Sequence, residues 1–266
     1  MLIVVNGPTS ATLTDFCQEM GVILIQLGTN TGIAHAQNLG IQEAIRLGAS
    51  MVLLMDQDSE PQKEMVHHLE NALRAHSRAA AAGPSTFDLR SFEKTYFLTD
   101  FCARPNAWVP PTDAPGQTVE VAYLIASGSL LRISALKDTG LMRDDWFIDH
   151  IDTEWCLRAR AKGWQILGVA DACLGHRLGD RITKIWFLRE RKIPHHLPLR
   201  HYYMFRNTIL LLKEPFVAWH WKRHHAVRIT KLFFFFLAFA PQRKLRLQMM
   251  IQGLMDGIRG RTGEKT

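Results

Sequence analysis

The sequence is poor in the features that mark secreted, disordered or membrane-spanning chains. It has 4 cysteines among 266 residues and no CxxC pair, which predicts reduced thiols in a cytosolic protein. Charged residues make up 21% against 47% apolar, so we expect a buried core and not disorder. No opening segment combines basic residues, an apolar run and a small-residue cleavage site, so no secretion signal is predicted.

Charge is distributed unevenly along the chain. Residues 1–180 carry 14 Lys and Arg against 21 Asp and Glu, whereas residues 181–266 carry 18 against 4. The net charge of +7 therefore hides an acidic body and a basic tail. Each part needs its own functional explanation.

Apolar runs alternate with helical segments over the first 170 residues. Runs that end in polar or turn residues predict strands at 3–5, 22–25, 51–55, 79–83, 119–125 and 165–169. Apolar periodicity predicts helices at 11–20, 33–47, about four turns from Pro61, and 151–162. Residues 84–118 are predicted to be irregular, and long helices are predicted beyond residue 180. This alternation indicates an α/β fold with a doubly wound, mostly parallel sheet, which binds ligands beyond the carboxyl ends of its strands.

Asp56 and Asp58 directly follow the predicted strand 51–55. Two carboxylates one residue apart can share a hard cation such as Mg²⁺ or Mn²⁺, which prefers oxygen ligands and bridges to substrate phosphates. The alternative is a solvated turn in which Asp58 caps the following helix. The pattern alone leaves both interpretations open.

A second acidic segment runs from Asp149 to Trp155, with four titratable groups in six residues. A carboxylate there can take a proton from an attacking hydroxyl. The alternative is an acidic helix start that the helix dipole favours.

Two further segments have both a functional and a structural interpretation. His176 follows the strand 165–169 and can complete a metal site built from two aspartates, although a lone histidine is more often structural. In the run from Asn30 to Gly40, small residues and amides at a helix start suit close approach of a nucleotide. The alternative for this run is a helix packed tightly against the sheet.

Taken in order, six stretches resemble family 2 glycosyltransferases of the GT-A fold, and more narrowly bacterial rhamnosyltransferases that use dTDP-L-rhamnose to build surface polysaccharide such as O-antigen. The stretches are NTGIAHAQNLG, MDQDS, ASGSLLR, FIDHIDTEWCLRARAKGW, GHRLGD and PLRHYYMFRN. They predict a transferase domain over 1–195 and a basic, Phe-rich helical tail over 196–266.

The resemblance also implies residue roles. It gives Asp152 as the base of a single inverting displacement, and Asp56, Asp58 and His176 as ligands of Mg²⁺ or Mn²⁺. The donor would contact the six residues Asn6, Gly32, Asn38, Asp56, Ser127 and Gly128.

The start of the chain departs from the family pattern. The family begins with a strand and a helix that precede a second strand ending in VDNGS, whereas this sequence begins in that second strand. Val5 stands where the family has an Asp that helps to bind the donor base. We therefore expect an N-terminally truncated sheet with an exposed edge or a gap.

The basic tail contains nine consecutive apolar residues, Leu232 to Ala240. Crossing a bilayer as a helix takes about 20 residues, so this run is predicted to lie in the interface, with Arg243, Lys244 and Arg246 near lipid phosphates. That suits a polyprenyl-linked saccharide acceptor at the inner face of the plasma membrane. A core helix with a solvated basic face is the alternative. Nucleic acid is not expected, because no recognised binding module is present.

Three functional hypotheses remain open from the sequence. The first is an active rhamnosyltransferase. The second is a catalytically impaired partner or membrane-binding subunit, which Val5 favours. The third is a transferase of another sugar, such as galactofuranose.

Overall fold

The computed structural model describes residues 1–89, 95–101, 104–109, 116–176, 181–187, 189–195 and 197–265, and side chains at 101, 104, 176, 181–187 and 189–195 fall outside that description. An α/β fold is observed, as predicted. Its two longest strands belong to one main sheet, while the first two strands form a small sheet of their own and two hairpins form two more.

The small sheet contains β1 (Leu2–Val5) and β2 (Ile23–Gln26), which are parallel and joined by α1 (Ala11–Glu19). The Ser10 hydroxyl caps α1 by accepting a hydrogen bond from the backbone N–H of Leu13 at 3.2 Å. Among the described strands, no backbone pairing joins this sheet to the main one. The first two strands are therefore separate from the main sheet in their backbone pairing.

The next elements are α2 (Ile33–Arg46), β3 (Met51–Leu53), β4 (Ser59–Pro61) and α3 (Met65–Ala75). The prediction that Pro61 opens a helix was wrong. Pro61 ends β4, an edge strand of the sheet, where it lies opposite Leu174. An edge strand tolerates proline because its outer side needs no N–H donor.

The prediction of an irregular segment at 84–118 was also wrong. In this part of the chain lie β5 (Ala79–Asp88), β6 (Phe97–Phe101), β7 (Arg104–Trp108) and β8 (Thr118–Glu120). β6 and β7 form an antiparallel hairpin. Pro105 is accommodated in β7, which among the described strands pairs with β6 alone.

The main sheet has the order β3-β9-β5-β10-β4, with β8 also paired to β10. Its remaining strands are β9 (Leu130–Arg132) and β10 (Gln165–His176). β5 and β10 are parallel, and β3 runs with them because both β3 and β5 are antiparallel to β9. The short strands β4, β8 and β9 run in the opposite direction. The predicted strand at 119–125 stops at Glu120, and a loop covers residues 121–129.

Helices α4 (Ile133–Thr139) and α5 (Ile151–Ala161) flank a 3₁₀ turn at Asp144–Trp146. Trp146 and Trp155 are fully buried in the main core beside Ile166 of β10. The segment before α5 is thereby fixed on the sheet by packing.

Long helices had been predicted beyond residue 180, but the first part of this segment is not helical. β11 (Arg181–Phe187) and β12 (Arg189–His195) form an antiparallel hairpin. Helices α6 (Pro198–Lys213), α7 (Trp219–Phe239) and α8 (Arg243–Arg259) follow. The β-branched and aromatic residues in 181–187 suit a strand, a signal that the basic composition of the segment obscures.

The last three helices pack both on each other and on the core of the main sheet. Phe205, Phe236 and Met250 are buried in a cluster of their own, whereas Leu211 and Trp221 belong to the main core. No helix in the described part of the chain is both long enough and apolar enough to cross a membrane. The boundary at 195/196 stays a prediction, and these helices share core with the preceding domain.

Candidate active site

One short loop, residues 126–129, connects the two acidic segments that were singled out in the sequence. The backbone N–H of Asp56 donates to the Ser127 hydroxyl at 3.2 Å. The backbone N–H of Ala126 donates to Asp152 Oδ2, also at 3.2 Å. Segments about 95 residues apart in sequence therefore meet at adjacent residues of one loop.

The shape of this loop depends on Ser127 and Gly128. The Ser127 side chain is buried and lies 2.7 Å from the Ser59 hydroxyl, at the start of β4. Gly128 has φ +81°, and a Cβ there would come within 2.7 Å of Pro84 and 2.8 Å of Leu174. Only glycine meets both conditions without strain. The loop is thus fitted to the ends of β5 and β10.

Asp152 is half-buried in the first turn of α5. Its Oδ1 accepts a hydrogen bond from the backbone N–H of Thr153 at 2.7 Å. Burial raises the pKa of this carboxyl, the two backbone hydrogen bonds oppose that shift, and the charge of Asp149 adds to it. A raised pKa makes the carboxylate a stronger base once it is ionised, so activity that depends on it should fall as the pH drops through that raised value.

The residues just before α5 have an uncommon backbone conformation. Phe147, Asp149 and His150 have φ of +67°, +68° and +63°. Side-chain-bearing residues rarely adopt this region, and the cost is of order 1–3 kcal/mol for each. Such strain persists only when surrounding contacts determine the conformation.

Those contacts come from α6. The Asn207 amide donates to the carbonyl oxygens of Trp146, Ile148 and Asp149 at 3.0, 2.6 and 3.0 Å. The Arg206 guanidinium donates to Trp146 as well, at 2.8 Å. Both α6 side chains are fully buried. α6 therefore fixes the loop that leads into Asp152.

The other acids of this segment have structural partners. Glu154 is fully buried and pairs with Arg158, whose Nε lies 2.7 Å from Glu154 Oε1. Burial raises the Glu154 pKa, and Arg158 opposes the shift. Asp149 forms an ion pair with Arg200 at 3.3 Å. Among these acids, Asp152 is the one that reaches the 126–129 loop.

The predicted metal ligands converge in backbone position. Asp56 is half-buried and Asp58 is exposed, and both precede β4. In the main sheet, His176 pairs with Ser59 on one side and with Asp88 on the other. The His176 side chain lies outside the described residues. Among the side chains that the structure describes, no group of three or more potential ligands is present.

Asp88 was missed by the sequence analysis. It is buried at the end of β5, next to His176 in the strand register. The sequence could have indicated it, because α/β sheets bind ligands beyond the carboxyl ends of their strands, and Asp88 ends such a strand. It was hidden because residues beyond 83 were predicted to be irregular.

Asn6 and Gly32 lie together at the start of α2. Asn6 Oδ1 accepts hydrogen bonds from the Thr31 backbone N–H at 2.8 Å and the Thr31 hydroxyl at 3.2 Å. Its amide donates to Asn30 Oδ1 at 3.0 Å. Gly32 has φ +90°, and a Cβ there would lie 2.8 Å from Phe147 Cδ2. This glycine is therefore required for close packing between α2 and the Asp152 loop.

Asn38 connects the same two segments further along α2. Its side chain is buried, donates to the Met142 carbonyl at 2.9 Å and accepts from the Met142 N–H at 3.0 Å. Both polar atoms of this amide are used inside the protein. These contacts support the packing interpretation of the helix start.

Comparison with known proteins gives the family. No family model matches the sequence. The dTDP-rhamnosyl transferase RfbF of Shigella flexneri is 32% identical over 268 residues, which cover 98% of this chain and 87% of that protein. The chain belongs to the rhamnosyltransferase-like family 2 glycosyltransferases. The predicted enzyme class is therefore confirmed.

Solved structures confirm the GT-A fold of this transferase. TarS 1–349 of S. aureus with UDP-GlcNAc has a TM-score of 0.57 at 16% identity, over 98% of this chain and 72% of that one. The mannosyltransferase PcManGT of Pyrobaculum calidifontis, solved with GDP-Man and Mn²⁺, has 0.54 at 11%, over 97% and 65%. GalNAc-T7 with UDP, GalNAc and Mn²⁺ has 0.55 at 10%, and the transferase spans 97% of its own length but about half of that chain, 49%.

Proposed function

We propose that this transferase moves L-rhamnose from dTDP-rhamnose to a hydroxyl of a lipid-linked saccharide, with inversion at the anomeric carbon, during surface polysaccharide synthesis. One observation carries the proposal: the carboxylate of Asp152 and the backbone of Asp56 bind adjacent residues of the 126–129 loop. The similarity to a dTDP-rhamnosyl transferase supports the choice of donor.

Asp152 acts as the general base in this proposal. Its Oδ2 accepts one backbone hydrogen bond and its Oδ1 is bound by Thr153, which fixes the carboxylate plane. The partial burial that raises its pKa also strengthens it as a proton acceptor. A single positioned carboxylate suits one displacement step, in which the acceptor hydroxyl loses its proton as it attacks.

Asp56, Asp58 and His176 are the residues that would hold Mg²⁺ or Mn²⁺. The fit rests on two carboxylates that follow β3 and on the pairing of His176 with Ser59, the residue after Asp58. Oxygen and imidazole ligands suit these ions. The metal would offset negative charge on the leaving diphosphate. Two of the similar structures were solved with Mn²⁺.

Asn6, Gly32, Ser127 and Gly128 remain proposed donor contacts, whereas the two hydrogen bonds of the buried Asn38 to Met142 favour a structural role for that side chain. Asn6 and Gly32 are the best placed, because they lie at the amino end of α2, where the oxygens of phosphate or ribose are favoured. The backbone N–H groups of Thr31 and Gly32 donate to Asn6 and Asn30 in this structure, so a bound donor would replace those hydrogen bonds.

The donor proposal is tested by transfer and by binding. The purified protein is incubated with Mn²⁺ and a panel of donors that includes dTDP-rhamnose and UDP-galactofuranose, together with a lipid-linked acceptor fraction. Transfer from dTDP-rhamnose alone supports the proposal. Transfer from another donor assigns a different sugar, and no transfer from any donor favours the impaired-subunit hypothesis.

Asp58→Ala tests the metal site. We expect Mn²⁺-dependent binding of dTDP to be lost, because one of the proposed ligand carboxylates is gone. Asp15→Ala removes an exposed acid on α1 and serves as the matched control. Titration of dTDP with and without Mn²⁺ measures the effect, and an Mn²⁺ dependence like that of the parent protein would contradict the assignment.

We also propose that the transferase lies on the cytoplasmic face of the plasma membrane. Large apolar side chains are exposed around the turn between α7 and α8, where Phe234 is 63% and Phe239 is 55% exposed. Arg243 and Lys244 are exposed beside them. Apolar side chains flanked by cations suit insertion into an anionic interface.

Vesicle binding tests this membrane surface. Phe234→Glu should reduce sedimentation with anionic vesicles by about tenfold or more, because a charge replaces an inserted ring. Phe16→Glu changes a 46% exposed phenylalanine of α1 and is the control. Equal sedimentation of the two variants, or binding that ignores salt, would contradict the proposal.

A further inference from the structure

Helix α7 reaches from the Asp152 region to the exposed apolar turn. Its first half is anchored by Asp100 of β6, which lies 2.9 Å from His220 Nε2 and accepts a hydrogen bond from Trp221 Nε1 at 3.2 Å. Its second half presents Phe234 and Leu237 to the outside. One helix therefore connects the region of the proposed base with the proposed membrane-binding surface.

His225 of α7 is buried against the segment that carries Asp152. Its ring centroid lies 5.2 Å from that of His150 and 6.0 Å from that of Tyr123. His150 is two residues before Asp152, and its Nε2 lies 3.0 Å from the Thr208 hydroxyl. The side chain of His225 thus points into the angle between the 121–129 loop and the start of α5.

Neither ring nitrogen of His225 has a hydrogen-bond partner among the described residues, although the side chain is only 2% exposed. A buried polar group without a partner is costly, and native proteins rarely retain one without a reason. Burial, together with His224 and Arg228, lowers the pKa of His225 to about 3. The ring is therefore neutral, and one of its nitrogens carries a proton that it can donate.

Arg228 lies one turn after His225 on the same face of α7. Its side chain is exposed, and the structure shows no ion pair for it within the described residues. Burial, the neighbouring His225 and the charge of Arg228 hold the pKa of His150 well below its usual range. Arg228 therefore supplies positive charge beside two neutral imidazoles.

The position of Arg228 follows from that of His225, one turn earlier on α7. His225 lies beside Tyr123 and His150, close to the contact between Ala126 and Asp152. Asp56 binds the next residue of that loop, Ser127. From Arg228 to Phe234 the helix rises roughly 9 Å, so the charge stands between the reacting centre and the apolar turn.

We propose that Arg228 and His225 bind the phosphate or diphosphate group that links the acceptor saccharide to its lipid. This inference rests on the proposed function and adds a site that recognises the acceptor. An anion held there would give His225 the partner it lacks and would neutralise Arg228, and its lipid would continue along α7 to the exposed apolar side chains.

The test uses geranyl diphosphate as a soluble probe, titrated into the full-length protein in the presence of saturating dTDP and Mn²⁺. Filling the donor site first means that any further diphosphate binding occurs elsewhere. We expect Arg228→Ala to weaken binding of the probe about tenfold or more, whereas Arg223→Ala, an exposed cation on another face of the same helix, leaves it unchanged. Geraniol, which lacks phosphate, should bind both variants equally.

His225→Phe gives a second readout, which a merely structural histidine would not produce. Removal of an unpartnered buried group should leave the melting temperature unchanged or higher, while binding of geranyl diphosphate falls. A lower melting temperature with undiminished probe binding would assign His225 a packing role and overturn its part in the site.

The other outcomes separate this site from its alternatives. No binding of the probe to the parent protein, or equal losses in Arg228→Ala and Arg223→Ala, would overturn the inference. A loss of dTDP affinity in Arg228→Ala would assign the arginine to the donor, and weaker binding to anionic vesicles with normal probe binding would assign it to lipid headgroups. Failure of the parent protein to bind dTDP would instead contradict the proposed function itself.

Discussion

In the loop that carries Asp152, one buried amide of α6 binds three carbonyl groups, whereas β1, which leads to Asn6, pairs with β2 alone among the described strands. All four residues of β1 are half-buried, while nine of the ten residues of β5 are buried. Asp152, the proposed base, is thus held in place before any substrate arrives. The segment proposed to bind the nucleoside is held by fewer contacts, and we expect it to open locally at lower free energy.

Asn207→Ala tests this difference between the two segments most strongly. It removes the side-chain donor of the Ile148 and Asp149 carbonyls and one of the two side-chain donors of Trp146, so we expect ~3 kcal/mol of lost stability and a transfer rate at least about 100-fold lower. Asn71→Ala, an exposed amide of α3, should change neither. Denaturant unfolding and transfer assays measure both effects, and a fully active Asn207→Ala protein would show that α6 does not fix the base.

Gly32→Ala probes the contact between the start of α2 and the loop that leads into Asp152. The new Cβ would lie 2.8 Å from Phe147, at a φ of +90°, so we expect a loss of ~2–3 kcal/mol and weaker dTDP binding. Gly48→Ala is the matched control, since its φ is +80° but a Cβ there meets nothing within 4 Å. That variant carries the backbone strain alone, and equal losses in the two would mean that the Phe147 contact contributes nothing.

Two Val→Ala substitutions compare how much the main sheet and the small β1–β2 sheet contribute to stability. Val169 of β10 is 3% exposed, whereas Val4 of β1 is half-buried against α2. We expect Val169→Ala to cost ~2 kcal/mol and Val4→Ala ~1 kcal/mol or less. Denaturant midpoints give both values. A larger loss from Val4→Ala would reverse our ranking of the two sheets.

The sequence predicted best where local pattern and final environment agree. The helices at 33–47 and 151–162 and the strands at 51–55 and 165–169 were found because apolar spacing reflects burial against the sheet. Asp56 was singled out because it follows a predicted strand, whereas the roles of Asp152 and Ser127 came from the resemblance, and the structure shows that the three meet at one loop. Asp88 and the two hairpins were missed, since proline and basic residues there obscured the strand pattern.

The role of α6 could not be predicted from the local sequence pattern. PLRHYYMFRN was recognised as part of the resemblance, yet nothing in its spacing indicates that Arg206 and Asn207 bind carbonyl groups about 60 residues earlier. Such contacts depend on tertiary packing, which propensity does not encode. The same holds for His225 and its place beside His150.

Asp152→Asn tests the central claim most directly. The amide keeps the size of the side chain, and its single oxygen can still accept one of the two backbone hydrogen bonds, but it cannot take a proton from the acceptor. We predict that rhamnose transfer falls by about 1,000-fold or more while the affinity for dTDP in Mn²⁺ stays within about twofold of the parent protein. Transfer at an undiminished rate, or an equal loss of transfer and dTDP affinity, would contradict the assignment of Asp152 as the base.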